Sequence, residues 1–277
     1  MVPAKTILVF DSGLGGLTVF REVIAARPDV RFVYAADDAL FPYGRQEEPV
    51  LVARVLEVME QLIAAHQPDL IVIACNTAST LVLPQLRERF KVPFVGTVPA
   101  IKPACSNSNS KLVSVLGTEA TVRREYTRVL IRDFAQGCAV TLIGSPRLAE
   151  FAEAELKGEP VADAEVLAEI APCFVESGDA RTDTVVLACT HYPLLHERLT
   201  RLAPWPVTYL DPAPAIARRV TDLLGPPAAG SARPPSQALF TSGRPPDPAL
   251  TAVLARFGLT EAAPASAARF DTPAKST

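Results

Sequence analysis

Two short segments of this chain repeat one pattern, Asp69-Leu-Ile-Val-Ile-Ala-Cys75-Asn76-Thr77 and Asp183-Thr-Val-Val-Leu-Ala-Cys189-Thr190-His191. Each carries an acid, a mainly apolar run of the length of a buried strand, and a cysteine six positions after the acid, where the strand should end. A chain that holds this unit twice is constrained to fold as two similar strand-and-helix rounds, with the thiols in equivalent places. Equivalent thiols can face opposite sides of one bound molecule, an arrangement suited to inverting a stereocentre by proton transfer between two bases.

The surrounding pattern fits two such rounds. Strands are predicted at 6–11, 31–36, 69–75 and 93–96, with helical spacing of apolar residues over Leu17–Arg27 and Pro49–His66. The tract Ala104–Ser110 reads as a polar connector. A second round follows, with strand 112–117, helix 119–134, strand 139–143, helices within 146–157 and 163–177, and strand 183–188. A strand at 207–210, a helix at 212–224 and a short strand at 238–241 come last. The predicted fold is α/β: two similar parallel-sheet α/β domains facing across a cleft, related by pseudo-symmetry. Residues 1–98 plus 208–258 form the first domain and 99–207 the second. Residues 259–277, rich in Ala, Pro and Ser and without apolar periodicity, are expected to be a disordered tail.

Composition narrows the function classes. The 277 residues are 49% hydrophobic, enough for two sheet cores, and the net charge of −3 offers no basic field for nucleic acid. No apolar run reaches the roughly 20 residues of a membrane helix, and Ile7–Phe10 is too short for the core of a secretion signal. A cytoplasmic protein without membrane or direct nucleic-acid contacts is expected. The five cysteines, at 75, 105, 138, 173 and 189, include no Cys-x-x-Cys pair, so reduced thiols and no metal site are expected. The six lysines, at 5, 91, 102, 111, 157 and 275, fall at no recognisable site for a Schiff base with pyridoxal phosphate.

The candidate residues gather at strand ends. Asp11-Ser12-Gly13-Leu14-Gly15-Gly16 follows the first strand and opens a helix, so its backbone N–H groups suit an anion. Its glycine spacing is not that of a dinucleotide loop, and it lacks the lysine of a phosphate loop. Asp11 puts a carboxylate at the carboxyl end of a strand, where open α/β sheets bind ligands. Pro42-Tyr43-Gly44 follows the second strand in the same sense. For Cys75 and Cys189, an ordinary thiol near pKa 8.5 is only a few per cent thiolate at neutral pH, and a helix N-terminus after each would lower that value. Asn76-Thr77 and Thr190 supply capping chemistry for such termini. His191, two residues after Cys189, lies within reach of a substrate or a neighbouring thiol. Cys105, Cys138 and Cys173 have no such setting, and His66 and His196 receive no role.

Together these residues resemble the glutamate racemase branch of the cofactor-independent aspartate/glutamate racemase superfamily. The resemblance runs from about Ile7 to Leu224 and rests on Phe10-Asp11-Ser12-Gly13-Leu14-Gly15-Gly16, Pro42-Tyr43-Gly44, Ala74-Cys75-Asn76-Thr77-Ala78, Gly117-Thr118 with Thr121, and Cys189-Thr190-His191-Tyr192-Pro193-Leu194. It implies two domains across a cleft, no metal or pyridoxal cofactor, a cytoplasmic supply of D-glutamate for peptidoglycan, and a homodimer. In some members it also implies binding to DNA gyrase. By the same resemblance Cys75 takes the proton from D-glutamate and Cys189 from L-glutamate, with Asp11, His191 and a glutamate as helpers. Ser12, Tyr43, Gly44, Asn76, Thr77, Thr121 and Thr190, together with Asp11 and His191, match substrate-binding positions. Counting from Pro146, the helper glutamate falls at Glu153, with Glu150 as its competitor. Ser145 and Arg124 depart from the family pattern in the wall of the second domain.

The residues leave other readings open. A racemase of aspartate or hydantoin type would share both thiols. A Cys-His hydrolase built on Cys189 and His191 would leave the duplicate Cys75 without a purpose.

Overall fold

The computed structural model describes residues 5–135, 137–228 and 234–261. The first round comprises β1 (Thr6–Asp11), α1 (Leu17–Ala26), β2 (Arg31–Ala36), α2 (Glu48–His66), β3 (Leu70–Ile73), α3 (Asn76–Arg89) and β4 (Phe94–Gly96). The second comprises α4 (Ile101–Asn107), β5 (Leu112–Thr118), α5 (Glu119–Arg123), α6 (Glu125–Phe134), β6 (Ala139–Ser145), α7 (Leu148–Leu156), α8 (Asp163–Ile170), the hairpin β7 (Glu176–Ser177) and β8 (Ala180–Arg181), β9 (Thr184–Ala188), α9 (His196–Leu202) and β10 (Thr208–Leu210). The chain then adds α10 (Ala213–Leu224), β11 (Ser236–Phe240), α11 (Pro248–Arg256) and β12 (Leu259–Glu261). Among the described residues no helix is long and apolar enough to cross a membrane.

Two parallel sheets result. One runs β12-β11-β2-β1-β3-β4 and the other, taken from its free edge, β6-β5-β9-β10. The order β2-β1-β3-β4 is thus repeated as β6-β5-β9-β10, which is the expected pseudo-symmetry, with β11 and β12 as additions to the first sheet. Both faces of a parallel sheet are covered, so its strands are apolar throughout. In β1, Ile7 and Val9 join one core cluster while Leu8 and Phe10 join the other, all fully buried.

The repeated acid has a structural purpose. Asp69 accepts the N–H of Thr6 at 2.7 Å. Its counterpart Asp183 accepts the N–H groups of Asn109 and Ser110 and the hydroxyl of Ser108, at 2.7–2.8 Å. Each acid therefore fastens the start of its neighbouring strand, β1 or β5, and so sets the register of the cysteine strand beside it.

Four expectations change. The sequence pattern returns the chain to the first domain from residue 208, but β10 pairs with β9, because the second round needs the counterpart of β4. The connector Ala104–Ser110 begins as helix α4, whose Ala104 and Cys105 are buried in the second core; only Ser108–Ser110 turn on Asp183. Helix 119–134 is broken at Arg124, which adopts φ −62° and ψ 138°. The tail does not begin at 259: Leu259–Glu261 is a parallel edge strand on β11, with Leu259 buried. The remainder of the tail, 262–277, lies outside the described residues.

Candidate active site

The strand order fixes where chemistry can occur. In each sheet the opening strand lies between its two successors, and the chain's connections diverge there, opening a crevice at the carboxyl ends. Asp11 ends β1 and Cys75 stands two residues beyond β3; Thr118 ends β5 and Cys189 follows β9. Cys75 and Cys189 are 5% and 6% exposed, so both thiols are nearly sealed from water.

Around Cys75, the loop after β1 folds back on Asp11. Asp11 Oδ2 accepts the N–H groups of Gly13 (3.2 Å) and Gly16 (2.9 Å), while its Oδ1 is buried without a partner. Burial pushes the Asp11 carboxyl up, against the pull of His191 and of the backbone N–H groups. Ser12 Oγ accepts from Cys75 Sγ at 3.7 Å. Helix α3 does begin directly after Cys75, as predicted, but no side chain caps it, neither Asn76 nor Thr77 serving as expected, and the Cys75 thiol is not lowered. Burial and then the Asp11 carboxylate push it well up, and Cys189 adds to that. A helix end acts through a partial charge, which cannot outweigh complete desolvation beside an acid. Asn76, 2% exposed, holds both polar atoms of its amide without a partner.

On the opposite side, Cys189 does not precede an α-helix. A 3₁₀ turn, Tyr192–Leu195, comes first, and α9 starts only at His196. His191 supplies the polar partner instead, with Nδ1 at 3.8 Å from Cys189 Sγ and Nε2 at 3.0 Å from Glu153 Oε1. Burial opposes the imidazolium, but the bonds to Cys189 and Glu153 and the charges of Cys189 and Asp11 hold His191 well above its ordinary value. Glu153 is held below its own, because His191 and the Leu14 N–H (2.8 Å) outweigh its burial. The Gly15 N–H also points at Nε2, at 3.1 Å. It competes with Glu153 for that nitrogen: the imidazolium gives Nε2–H to Glu153, whereas a neutral ring protonated on Nδ1 accepts from Gly15. Glu150 is elsewhere, in a bidentate contact with Arg45, and both side chains are exposed.

The glycines of the first loop have a steric basis. A Cβ on Gly13 would overlap Glu153 Oε1, and one on Gly15 would overlap the ring and backbone of His191. Both neighbours belong to the second round, so the loop's bare backbone is what lets the halves close. A cluster of hydroxyls also spans the halves: Thr77 lies 3.0 Å from Thr118 and 3.2 Å from Thr121, which are 2.9 Å apart. Thr18 donates to the Thr190 carbonyl at 3.0 Å, holding the loop after Cys189. Gly44 packs directly against Thr118. Tyr43 is 1% exposed and its hydroxyl donates to Asp37 at 2.6 Å, so any ligand contact from this residue comes through its backbone.

Sequence reasoning quoted Thr118 within the Gly117-Thr118 motif without a site role, and gave none to Tyr34 or Phe41. Thr118 holds the place in β5 that Asp11 holds in β1, a correspondence the repeat itself contained. Tyr34 donates to the Gly13 carbonyl at 2.6 Å, and the Phe41 ring lies 5.4 Å from that of His191; neither contact carries a local signal. Among the described residues no group of three or more His, Cys, Asp or Glu side chains could hold a metal ion.

Known proteins share the sequence and the fold that carry this site. The family model described as Asp/Glu/Hydantoin racemase matches residues 19–220. The chain is 56% identical over 263 residues, 94% of each chain, to the glutamate racemase of Brucella ovis. Its structure superposes with a TM-score of 0.84 and 40% identity on Escherichia coli glutamate racemase in complex with L-glutamate and the activator UDP-MurNAc-ala, covering 93% of this chain and 96% of that one. It also superposes on glutamate racemase from Thermus thermophilus in complex with beta-chloro-D-alanine, with a TM-score of 0.71, 28% identity, and 94% and 97% of the two chains covered.

Proposed function

The chain belongs to the Asp/Glu/Hydantoin racemase family, and from that premise we propose that it interconverts L- and D-glutamate by proton transfer between Cys75 and Cys189, supplying D-glutamate for peptidoglycan in the cytoplasm. The observation that carries the mechanism is the repeat of strand order, which sets the two thiols at equivalent strand ends in one buried site.

The thiols are unlike, and the difference gives them starting roles. Cys75 is held as a thiol by burial and Asp11, so it is ready to give a proton. Cys189 lies 3.8 Å from Nδ1 of His191, a ring held in turn by Glu153, so a base at this position has a polar group beside it to exchange a proton with. L-glutamate then loses its α-proton to the Cys189 sulfur while the Cys75 S–H delivers one to the other face. The product is D-glutamate, with Cys189 now the thiol and Cys75 the thiolate, which is the form that runs the reverse reaction.

The site also suits a zwitterion. A buried carboxylate oxygen on Asp11 and a buried amide on Asn76 each lack a partner, and leaving such groups unpaired costs about 1–3 kcal/mol apiece. An α-ammonium on Asp11 and an α-carboxylate on Asn76 would satisfy both. Backbone N–H groups at the start of α3 and in loop 42–44, with the threonine hydroxyls, provide further donors, and each preorganised donor is commonly worth about 3–4 kcal/mol in the transition state.

Incubation in D₂O tests the reading. The wild type should racemise glutamate with no added cofactor and place deuterium at the α-position. Cys189→Ala should exchange the α-proton of D-glutamate without inverting it, and Cys75→Ala should do the same for L-glutamate. Near-normal inversion by either folded mutant, followed by proton NMR and chiral chromatography, would overturn the two-thiol mechanism.

A further inference from the structure

Beneath the loop that carries Tyr43 and Gly44 lies a buried polar hub that the chemistry above does not use. Asp37 directly follows β2 and is fully buried, and its N–H donates to the Asp11 carbonyl at 2.9 Å. Its carboxylate accepts four groups. Arg54 of α2 donates from Nη2 at 2.7 Å and from Nε at 3.1–3.2 Å. The Tyr43 hydroxyl donates at 2.6 Å and the Thr241 hydroxyl, just past β11, at 2.5 Å. The next residue repeats the tie, for Asp38 accepts both the N–H and the hydroxyl of Ser242, at 2.9 and 2.5 Å. Segments some 200 positions apart in the chain are thus fastened under one short loop.

A buried Asp–Arg pair is a poor stabiliser, because desolvating two charges offsets most of their attraction; what such a pair does well is enforce one geometry. Here the geometry it enforces is that of Tyr43. The Tyr43 ring packs 6.5 Å from Phe10 and belongs to the same buried cluster as Cys75. The adjoining Gly44 sits so close to Thr118 that an added Cβ would come within 2.9 Å of the threonine Cβ. A shift of the tyrosine would therefore move the wall beside Cys75 and the backbone facing the second domain together.

We propose that Asp37 is a positioning residue for racemisation: fixed by Arg54 and Thr241, it holds the Tyr43 hydroxyl and so sets loop 42–44 against Cys75 and the substrate. The inference rests on the glutamate reading above for its substrate, and it gives the C-terminal segment at Thr241–Ser242 a part in catalysis.

The test uses Tyr43→Phe and Thr241→Val, which each delete one hydroxyl and leave the Asp37–Arg54 pair intact, since Asp37→Asn would strand a buried guanidinium. KM for both enantiomers should rise about tenfold in Tyr43→Phe, with kcat falling less than threefold, as befits one lost bond to a charged group acting on binding geometry. Thr241→Val should move KM in the same direction, Thr241→Ser should restore it, and the Tyr43→Phe/Thr241→Val pair should show less than the product of the single effects. Because the enantiomers have equal free energy in water, kcat/KM must stay equal in the two directions for every variant. A second readout needs no substrate: iodoacetamide should alkylate Cys75 several-fold faster in both variants, with Cys189 unchanged. Wild-type protein that fails to racemise glutamate overturns the functional reading, and the hub is then judged by alkylation alone. Wild-type KM in both active variants, or independent multiplication of their effects, overturns the positioning role; so does an unchanged alkylation rate where glutamate is not the substrate.

Discussion

At the scale of single residues, the deciding pair is Glu153 and His191. Glu153 is 12% exposed at its side chain and His191 3%, while Glu150 is 37% exposed and joined to a half-exposed arginine. Glu153→Gln should therefore lower kcat by about 10²-fold, a usual loss for acid–base assistance, and Glu150→Gln should be nearly silent. The pair also fixes a pH dependence of stability. His191 is raised above its unfolded value near 6.5, so its contribution is complete below about pH 6.5 and lost as pH rises through the folded value. Glu153 is lowered from an unfolded value of about 4.3, so its contribution is complete above that pH and lost as pH falls through the folded value. The Tm difference between wild type and Glu153→Gln should be widest at roughly pH 4.5–6.5 and narrow on either side. A gap that stays constant from pH 4 to 9, or the reverse ranking of the two glutamines, would move the helper role away from Glu153.

At the scale of elements, what the sequence disclosed depended on the range of the forces involved. β1 and β2 fall at the predicted limits because a buried parallel strand is written locally as an apolar run. The break between α5 and α6 was illegible: no Gly or Pro marks it, and it is held by Thr118 capping the Thr121 N–H and Thr127 bonding the Thr121 carbonyl. β10 could not be assigned to a sheet from its own three residues, since only the repeat of the β4 position decides it. The tyrosine of Pro42-Tyr43-Gly44 was visible as a motif, but its hydroxyl partner was not, because Asp37 is shared with Arg54 and Thr241 from distant segments. The edge strand β12 was missed for the same reason, and it carries a prediction. Ending the chain after Gly258 removes buried Leu259, its ladder to Ser236–Ala238, and the Thr260 hydroxyl bond to the Ser236 carbonyl at 3.2 Å. Against a chain ending after Glu261, the loss should be about 2 kcal/mol, or a fall of about 4–8 °C in Tm. Equal melting of the two truncations would show that β12 adds nothing to the sheet.

At the scale of the whole molecule, the halves meet through a few short contacts whose partners alternate. Arg45 of the first half reaches Glu150 of the second, and Arg124 of the second reaches Glu48 of the first. Between these charged ties the loop after β1 meets the second half through backbone groups, with the Leu14 N–H on Glu153 and the Gly15 N–H aimed at His191. The close approach of the halves at this point needs the absence of a side chain at Gly15, where a Cβ would meet both the ring and the backbone of His191. The ring could rotate aside, but the backbone could retreat only with the turn that also carries Cys189. Gly15→Ala should therefore have two separable effects. Overpacking should cost about 1–3 kcal/mol of stability, read as a lower Tm with unchanged far-ultraviolet circular dichroism. Displacement of Cys189 from its line to the α-carbon should lower kcat by about 10²-fold, the usual consequence of misplacing a reacting group by about 1 Å. In D₂O the variant should keep exchanging the α-proton of D-glutamate, because Cys75 itself follows β3 of the first half and does not ride on the turn that His191 shares with Cys189. Loss of stability with kcat intact would mean that the distance between the halves is not what aligns the second thiol, and that the turn after β9 holds Cys189 in place on its own.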